Sequence, residues 1–284
     1  MIRINSYEEL SKLIFSFLKK GVSTNFFLSR KDVQSEIECG LLYYFISSAG
    51  LWIVRKREEY YILNYYLNDF SDAINESLET FNAKLDKPIV VEIVAKDYDD
   101  EKYVCLCDFF SKMGFEVLVE RERFCKKIHL EDVNKLGVNN VEKQSLKITS
   151  CEKSDIDDVF SILLENFDKL YGCIPSKKTL IGYIENNEIY KATCDGKLVG
   201  VLHISNDGKN SEIRHLAVVK EARNEGVASL LLEFYDNNIT SINKTVWTGK
   251  DNLAAQRVYE KNGYKKDGYV SNVLSLQMSK KVVK

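Results

Sequence analysis

The sequence holds only three histidines, and none of its seven cysteines falls in a Cys-x-x-Cys pair. No metal-ligand spacing such as His-x-x-x-His occurs, so no metal site is expected, and Cys39, Cys105, Cys107, Cys125, Cys151, Cys173 and Cys194 read as reduced structural thiols. A charge excess is missing too: 40 Lys and Arg nearly cancel 42 Asp and Glu, leaving a formal net charge of -2. Without a basic field, sequence-independent nucleic-acid binding loses its driving force, and no nucleic-acid partner is expected. Nor is there a membrane-length apolar run. The most apolar stretch, Leu41 to Val54, is broken by Ser47, Ser48 and Gly50 and falls short of the roughly 20 residues a membrane helix takes. The first residues alternate charge with apolar side chains (Glu8, Glu9, Lys12) and do not form a secretory signal, so a cytoplasmic protein without membrane association is expected.

What is present suits a globular chain. At 284 residues, with 45% hydrophobic and 29% charged side chains, it can bury a sizeable core and reaches the length at which one core divides into two domains. The first half opens with a helical pattern from Ser6 to Lys20 (Leu10, Leu13, Ile14, Phe17) that Gly21 stops. The runs LWIVRK and YYILNYYL between Leu51 and Leu67 predict an antiparallel hairpin, whose tyrosines fit ordinary sheet packing. A helix over Asp69 to Ala83, a strand IVVEIVA after Pro88, a helix over Tyr103 to Met113 and a strand FEVLVERERF follow. The pattern fades between Asp132 and Ser145, so the domains are expected at 1–140 and 146–284.

The second half reads as strand (Leu146 to Thr149), helix (Ser154 to Leu170), short helix (Lys177 to Asn186) and a hairpin turning at Asp195-Gly196. A strand (Glu212 to Val219), helix (Gly226 to Asn237), strand (Thr245 to Thr248), helix (Asn252 to Asn262) and closing strands to Met278 complete it. This is an α/β order with a mixed sheet, α+β by some schemes.

The segment SEIRHLAVVKEARNEGVASLLLEFYDNN carries the chemistry. An apolar strand runs through a short polar loop into a helix whose first turn holds Gly226 and Ala228. Unpartnered amides and the positive end of the helix dipole let a pyrophosphate sit on Asn224, Glu225, Gly226, Val227, Ala228 and Ser229. By itself the pattern also fits a tight-turn glycine and a packing alanine. Downstream, VWTGKDNLAAQRVYEKNGY places Asn252, Ala255 and Tyr259 on the next strand-to-helix unit, closed by Asn262-Gly263-Tyr264.

Together these motifs resemble the GNAT superfamily of acyl-CoA-dependent N-acetyltransferases, over roughly residues 146 to 281. Arg223-x-x-Gly226-x-Ala228 looks like the family's pyrophosphate loop, and Asn252-x-x-Ala255-x-x-x-Tyr259-x-x-x-Gly263-Tyr264 like its second signature. The resemblance implies a mixed, mostly antiparallel central sheet flanked by helices, with acetyl-CoA as cosubstrate and a small-molecule or peptide amine as acceptor. It implies that the pantetheine arm lies along Leu216, Ala217 and Val218, that Asn252 bonds that arm, and that Tyr259 gives a proton to the leaving sulfur. Glu212 matches a glutamate that serves as base in the histone acetyltransferase branch. Water held by backbone carbonyls is the alternative base, and His215, expected on the opposite strand face from Glu212, is a weaker one. Asn252 also reads as an N-cap and Tyr259 as helix packing.

Two departures stand out. Ala228 replaces a commoner glycine, and Glu225 puts an acidic side chain in the anion loop, which must point outward with Lys220 or Arg223 offsetting it. That favours, as the alternative function, a non-catalytic acyl-CoA-binding sensor or interaction module. Residues 81 to 124 echo the same design, with Lys112-Met113-Gly114-Phe115 resembling Lys261-Asn262-Gly263-Tyr264. No glycine lies between Tyr60 and Leu85, so the N-terminal domain reads as a degenerate first GNAT copy that does not bind CoA, or else as an unrelated α/β interaction domain. The chain is expected as a monomer or homodimer.

Overall fold

A computed structural model describes residues 1–18, 21–68, 70, 73–128, 142–143 and 145–278. Lys20 at the expected end of the first helix, Asp69 at the start of another and most of the polar join at 132–145 lie outside the described residues. The chain divides into two compact units, residues 1–120 with 269–284, and residues 121–268. These stretches differ from the 1–140 and 146–284 boundaries expected from composition: residues 121–127 belong to the second unit, and the last strand belongs to the first from Tyr269 onward.

The first unit runs β1 (Ile2–Arg3), α1 (Tyr7–Phe17), β2 (Ser23–Thr24), α2 (Arg30–Glu38), β3 (Leu42–Ser47), β4 (Gly50–Lys56) and β5 (Tyr61–Leu67). α3 (Ile74–Lys84), β6 (Ile89–Ala95), α4 (Glu101–Lys112) and the start of β7 (Glu116–Lys127) follow. Sequence chemistry sets the helix starts: the side chains of Ser6, Ser29 and Asp100 accept the backbone N–H of Glu9, Asp32 and Tyr103. The sheet order is β1-β3-β4-β5-β6, ending on the last strand of the chain, with β2 set against β5. The β5–β6 pair is parallel and the other pairs of this sheet are antiparallel. One face carries Trp52, Tyr65, Phe81 and Phe110 in edge-on and tilted ring contacts, and the other packs Leu10, Val33 and Ile37 of α1 and α2 against Leu51 and Ile53.

The second unit contains the end of β7, then β8 (Glu142–Lys143), β9 (Leu146–Ser150), α5 (Ile156–Asn166), α6 (Lys177–Glu185), β10 (Ile189–Cys194), β11 (Lys197–Asn206) and β12 (Asn210–Val218). α7 (Val227–Asn238), β13 (Asn243–Gly249), α8 (Leu253–Lys261) and the first residues of β14 (Lys265–Leu276) complete it. The sheet order is β7-β13-β12-β11-β10-β9-β8, and the β12–β13 pair is parallel. The β10–β11 turn falls on Asp195 and Gly196, both at positive φ, as the Asp-Gly pair predicts. From β9 to β14 the order of elements repeats that of the first unit from β1 to β7, with β2 as the extra piece.

Each face of the second sheet is covered by a helix pair. Val159 and Leu163 of α5 and Leu180 and Ile184 of α6 pack with Val201 and Ala217, while Leu230, Leu231 and Tyr235 of α7 and Tyr259 of α8 pack with Leu202, Ile213 and Val246. Burying these side chains supplies about 1.5–3 kcal/mol each before entropy is set against it.

Candidate active site

The parallel β12–β13 ladder pairs Asn210 to Ile213 with Asn243 to Val246 and stops there. Beyond that point β12 stays paired with β11, from His215 opposite His203 to Val218 opposite Gly200. Val219 donates its N–H to Val199. Strand alternation therefore turns the N–H and C=O of Leu216 and Val218 away from β11, into the opening where the β13 ladder has ended. An edge of this kind can hydrogen-bond an extended ligand, since its backbone groups face no strand.

Beyond Val218 a short loop with one 3-10 turn, Lys220–Ala222, leads to the start of α7. Gly226 caps that helix in the left-handed conformation at φ 82° and has no side chain with which to cap it. A Cβ placed there would meet nothing within 4 Å, so the approach is open. Asn224 also takes positive φ, at 67°. α1, α2, α4, α6 and α8 all begin with a side chain bonded into the first turn, whereas the N–H groups of Val227, Ala228 and Ser229 point at no such cap. With no acidic residue in the first turn, the helix dipole is free to favour an anion. Glu225 is exposed. Arg223 turns back, its Nε donating to the Val218 carbonyl at 3.3 Å and its guanidinium to Asn166 Oδ1 at 2.9 Å, which ties the loop to the strand end and to α5.

Tyr259 is buried in the cluster that contains Val227 and against which Leu216 and Val218 pack. Its ring lies 5.9 Å from Phe124 and 6.1 Å from Tyr264, and its phenol makes no hydrogen bond among the described residues. Burial pushes the phenol well above its usual pKa of about 10, so it stays protonated through the neutral range. Asn252 accepts the Ala255 N–H at 3.1 Å and so caps α8.

Glu212 is half-buried, with Oε1 3.3 Å from Arg214 Nε. The expectation that His215 faces away from it does not hold. The β11–β12 register shifts between His203 and Ile204, leaving Arg214 as an extra residue on β12. That bulge reverses the alternation, so Glu212 opposite Ser205 and His215 opposite His203 share the face covered by α5 and α6. Strict period-two reading cannot detect the extra residue.

The bulge also creates a feature not foreseen from sequence. His203 and His215, both buried, stack at 5.2 Å with their Nδ1 atoms 2.9 Å apart. His215 Nε2 lies 2.7 Å from the Gly172 carbonyl, which can only accept, so Nε2 carries the proton and Nδ1 takes one from His203. The Gly172 position is too tight for a side chain, because a Cβ would sit 2.4 Å from the Asp168 carbonyl. The Tyr171 carbonyl accepts from Arg121 at 2.5 Å, so the segment following α5 is fastened at two neighbouring carbonyls. Burial drives the His215 pKa down to about 4, and the charges of Arg214 and Arg121 push the same way. Two of only three histidines, spaced around one hairpin tip, were the available signal; without the bulge His203 would have been set opposite Arg214.

Among the described residues no group of three or more His, Cys, Asp or Glu side chains is arranged to hold a metal, and no helix is long and apolar enough to cross a membrane. A hollow lined by Ile148, Ser150, Tyr190 and Phe234 shares no residue with the opening at β12 and holds no charged side chain.

Comparison with known proteins agrees with this geometry. The acetyltransferase (GNAT) domain model matches residues 164–281. An uncharacterized N-acetyltransferase of Methanocaldococcus jannaschii is 32% identical over 124 residues, 42% of this chain and 77% of that protein. Among solved structures, a GCN5-related N-acetyltransferase from Sphaerobacter thermophilus aligns with a TM-score of 0.57 at 12% identity, over 81% of this chain and 77% of that one. A tandem GNAT protein from the clavulanic acid biosynthesis pathway also aligns at 0.57, with 10% identity, over 98% of this chain and 90% of that one. At these identities the structural likeness speaks for fold, and it runs through most of the chain.

Proposed function

Because this chain belongs to the GNAT acetyltransferase family, we propose that it moves an acetyl group from acetyl-CoA to a primary amine of a small molecule or peptide, directly within a ternary complex. The reading assigns catalysis to a GNAT domain spanning 146–284 and treats 1–140 as a degenerate copy. One observation carries it: the β12–β13 ladder ends at Ile213 and Val246 while β12 runs on to Val218, and the loop after that strand leads to a glycine-led helix start that no side chain caps. An extended arm and an anionic end would find backbone donors in sequence along that path.

In this reading the arm of acetyl-CoA lies along Leu216 to Val218 with Asn252 beside it, and its pyrophosphate rests on the amides from Asn224 to Ser229, with Arg223 anchoring the loop. A neutral amine attacks the thioester carbonyl carbon, the carbon–sulfur bond breaks, and the thiolate leaves with a proton while the amine loses one. Tyr259 supplies the proton to sulfur, since burial holds its phenol protonated. Glu212, half-buried, takes the amine proton. Tyr259→Phe removes that acid but keeps the ring packing. Turnover is expected to fall about 10²-fold or more with acetyl-CoA affinity nearly unchanged. Equal turnover in the variant across the full pH range would remove Tyr259 from the reaction.

A further inference from the structure

The first unit repeats the opened strand pair, and its own chain fills it. The β5–β6 ladder pairs Tyr61 to Leu63 with Ile89 to Val91 and stops, as β12–β13 stops after Ile213. Register against the neighbouring hairpin strand aligns the two units: Gly50 faces Leu67 as Gly200 faces Val218, and Asn68 donates to Ala49 as Val219 donates to Val199. Tyr65, Tyr66 and Leu67 therefore stand where Leu216, Ala217 and Val218 stand in the second unit.

In the first unit that edge is occupied. β2 lies antiparallel on it, with Ser23 opposite Leu67 and Thr24 opposite Tyr66. The next residue, Asn25, is buried and closes the gap between both strands. Its Nδ2 donates to the carbonyls of Leu63 on β5, at 3.2 Å, and Glu92 on β6, at 2.8 Å. Its Oδ1 accepts the Tyr65 N–H at 2.9 Å, and its backbone carbonyl accepts from Asn64 Nδ2 at 3.1 Å. The Tyr65 N–H is the group equivalent to that of Leu216. The matching connection in the second unit, between α5 and α6, instead bonds His215 through Gly172.

We infer that Ser23 to Asn25 are a built-in occupant of the first unit's ligand opening, standing in for the amide-bearing arm of an acyl-CoA, so that each chain binds one acyl-CoA, in the second unit. The inference rests on the proposed function for the identity of the ligand, and on geometry alone for the occupancy. Two amide groups per segment, one from backbone and one from the Asn25 side chain, satisfy both strand edges at once, which is what a pantetheine arm offers chemically. The glycine-free connection from β5 to α3 agrees, since the N-cap of α3 is Ala73, not a left-handed glycine that would open the helix start.

Hydrogen–deuterium exchange of the full chain, read by mass spectrometry with and without acetyl-CoA, tests this. Residues 61–67 are expected to be protected without cofactor and unchanged by it, while residues 214–218 slow on addition. Free exchange at 61–67 in the unliganded protein, or added protection there with acetyl-CoA, overturns the inference. No change at 214–218 counts against the proposed function instead, and the unliganded protection at 61–67 still decides the occupancy. In Asn25→Ala, exchange at the Tyr65 amide is expected to rise about tenfold for the loss of one hydrogen bond. An unchanged rate in a folded variant likewise refutes the assignment.

Discussion

Acidification should expose the buried histidine pair as a measurable part of the stability. The pKa of His215 falls from 6.5 to about 4, chiefly through burial, with Arg214 and Arg121 contributing. A histidine depressed in the folded state binds fewer protons there than in the unfolded chain between these two values, so stability rises with pH across that window. The contribution is complete above pH 6.5 and is lost as the pH falls toward 4. A shift of this size corresponds to a loss on the order of 3 kcal/mol, at about 1.4 kcal/mol for each pKa unit. Burial outweighs the one opposing contact, the Gly172 carbonyl that accepts from Nε2 and favours the protonated ring; His203 donates to Nδ1, and the ring of Phe167 meets it edge-on at 4.7 Å. The assay is urea unfolding from pH 7.5 to 4, for the wild type and His215→Phe. The variant starts less stable because the Gly172 carbonyl and His203 each lose a partner, so the slopes with pH are compared and not the starting values. The wild type should lose on the order of 3 kcal/mol more than the variant over the window. Parallel slopes would show that His215 titrates normally and that the pairing is wrong.

Tyr259→Phe should also change the pH profile: the wild type shows no alkaline loss of turnover from its acid below about pH 10, because burial raises the phenol above its free value. A falling limb near pH 8 that vanishes in the variant would contradict this. Asn252→Ala should cost about 1 kcal/mol of stability for the lost helix cap and weaken acetyl-CoA binding as well. Loss of stability with unchanged affinity would leave Asn252 a cap and nothing more.

Much of the second unit could be read directly. Alternation and helical spacing located β9 to β14, because their apolar positions recur at strand or helix spacing, and the two glycine-bearing motifs marked the strand-to-helix turns. The expected helix over Ser154 to Leu170 ended early, at Asn166, since the chain turns there toward His215 through a glycine with no room for a side chain. In the first unit β2 and α2 left little trace. β2 is two residues long, paired to β5 and followed by the buried Asn25 side-chain amide, and α2 is polar apart from Val33 and Ile37, so neither has enough periodicity to register. Tyr60, Tyr61, Tyr65 and Tyr66 proved to be buried in sheet packing, which fits their spacing. The places of β7 beside β13 and of β14 beside β6 depend on pairings between segments more than a hundred residues apart, a relation that local pattern does not encode.

The proposed function places acyl-CoA where β12 leaves β13 and α7 begins. Gly226→Glu addresses it most directly, since it sets a carboxylate into the open anion approach at a left-handed position. The backbone penalty of about 1–2 kcal/mol at one exposed residue leaves the fold in place. Calorimetric titration with acetyl-CoA should give saturable binding to the wild type and none to a variant whose circular dichroism is unchanged. Equal binding by both proteins would place the cofactor elsewhere and contradict the account.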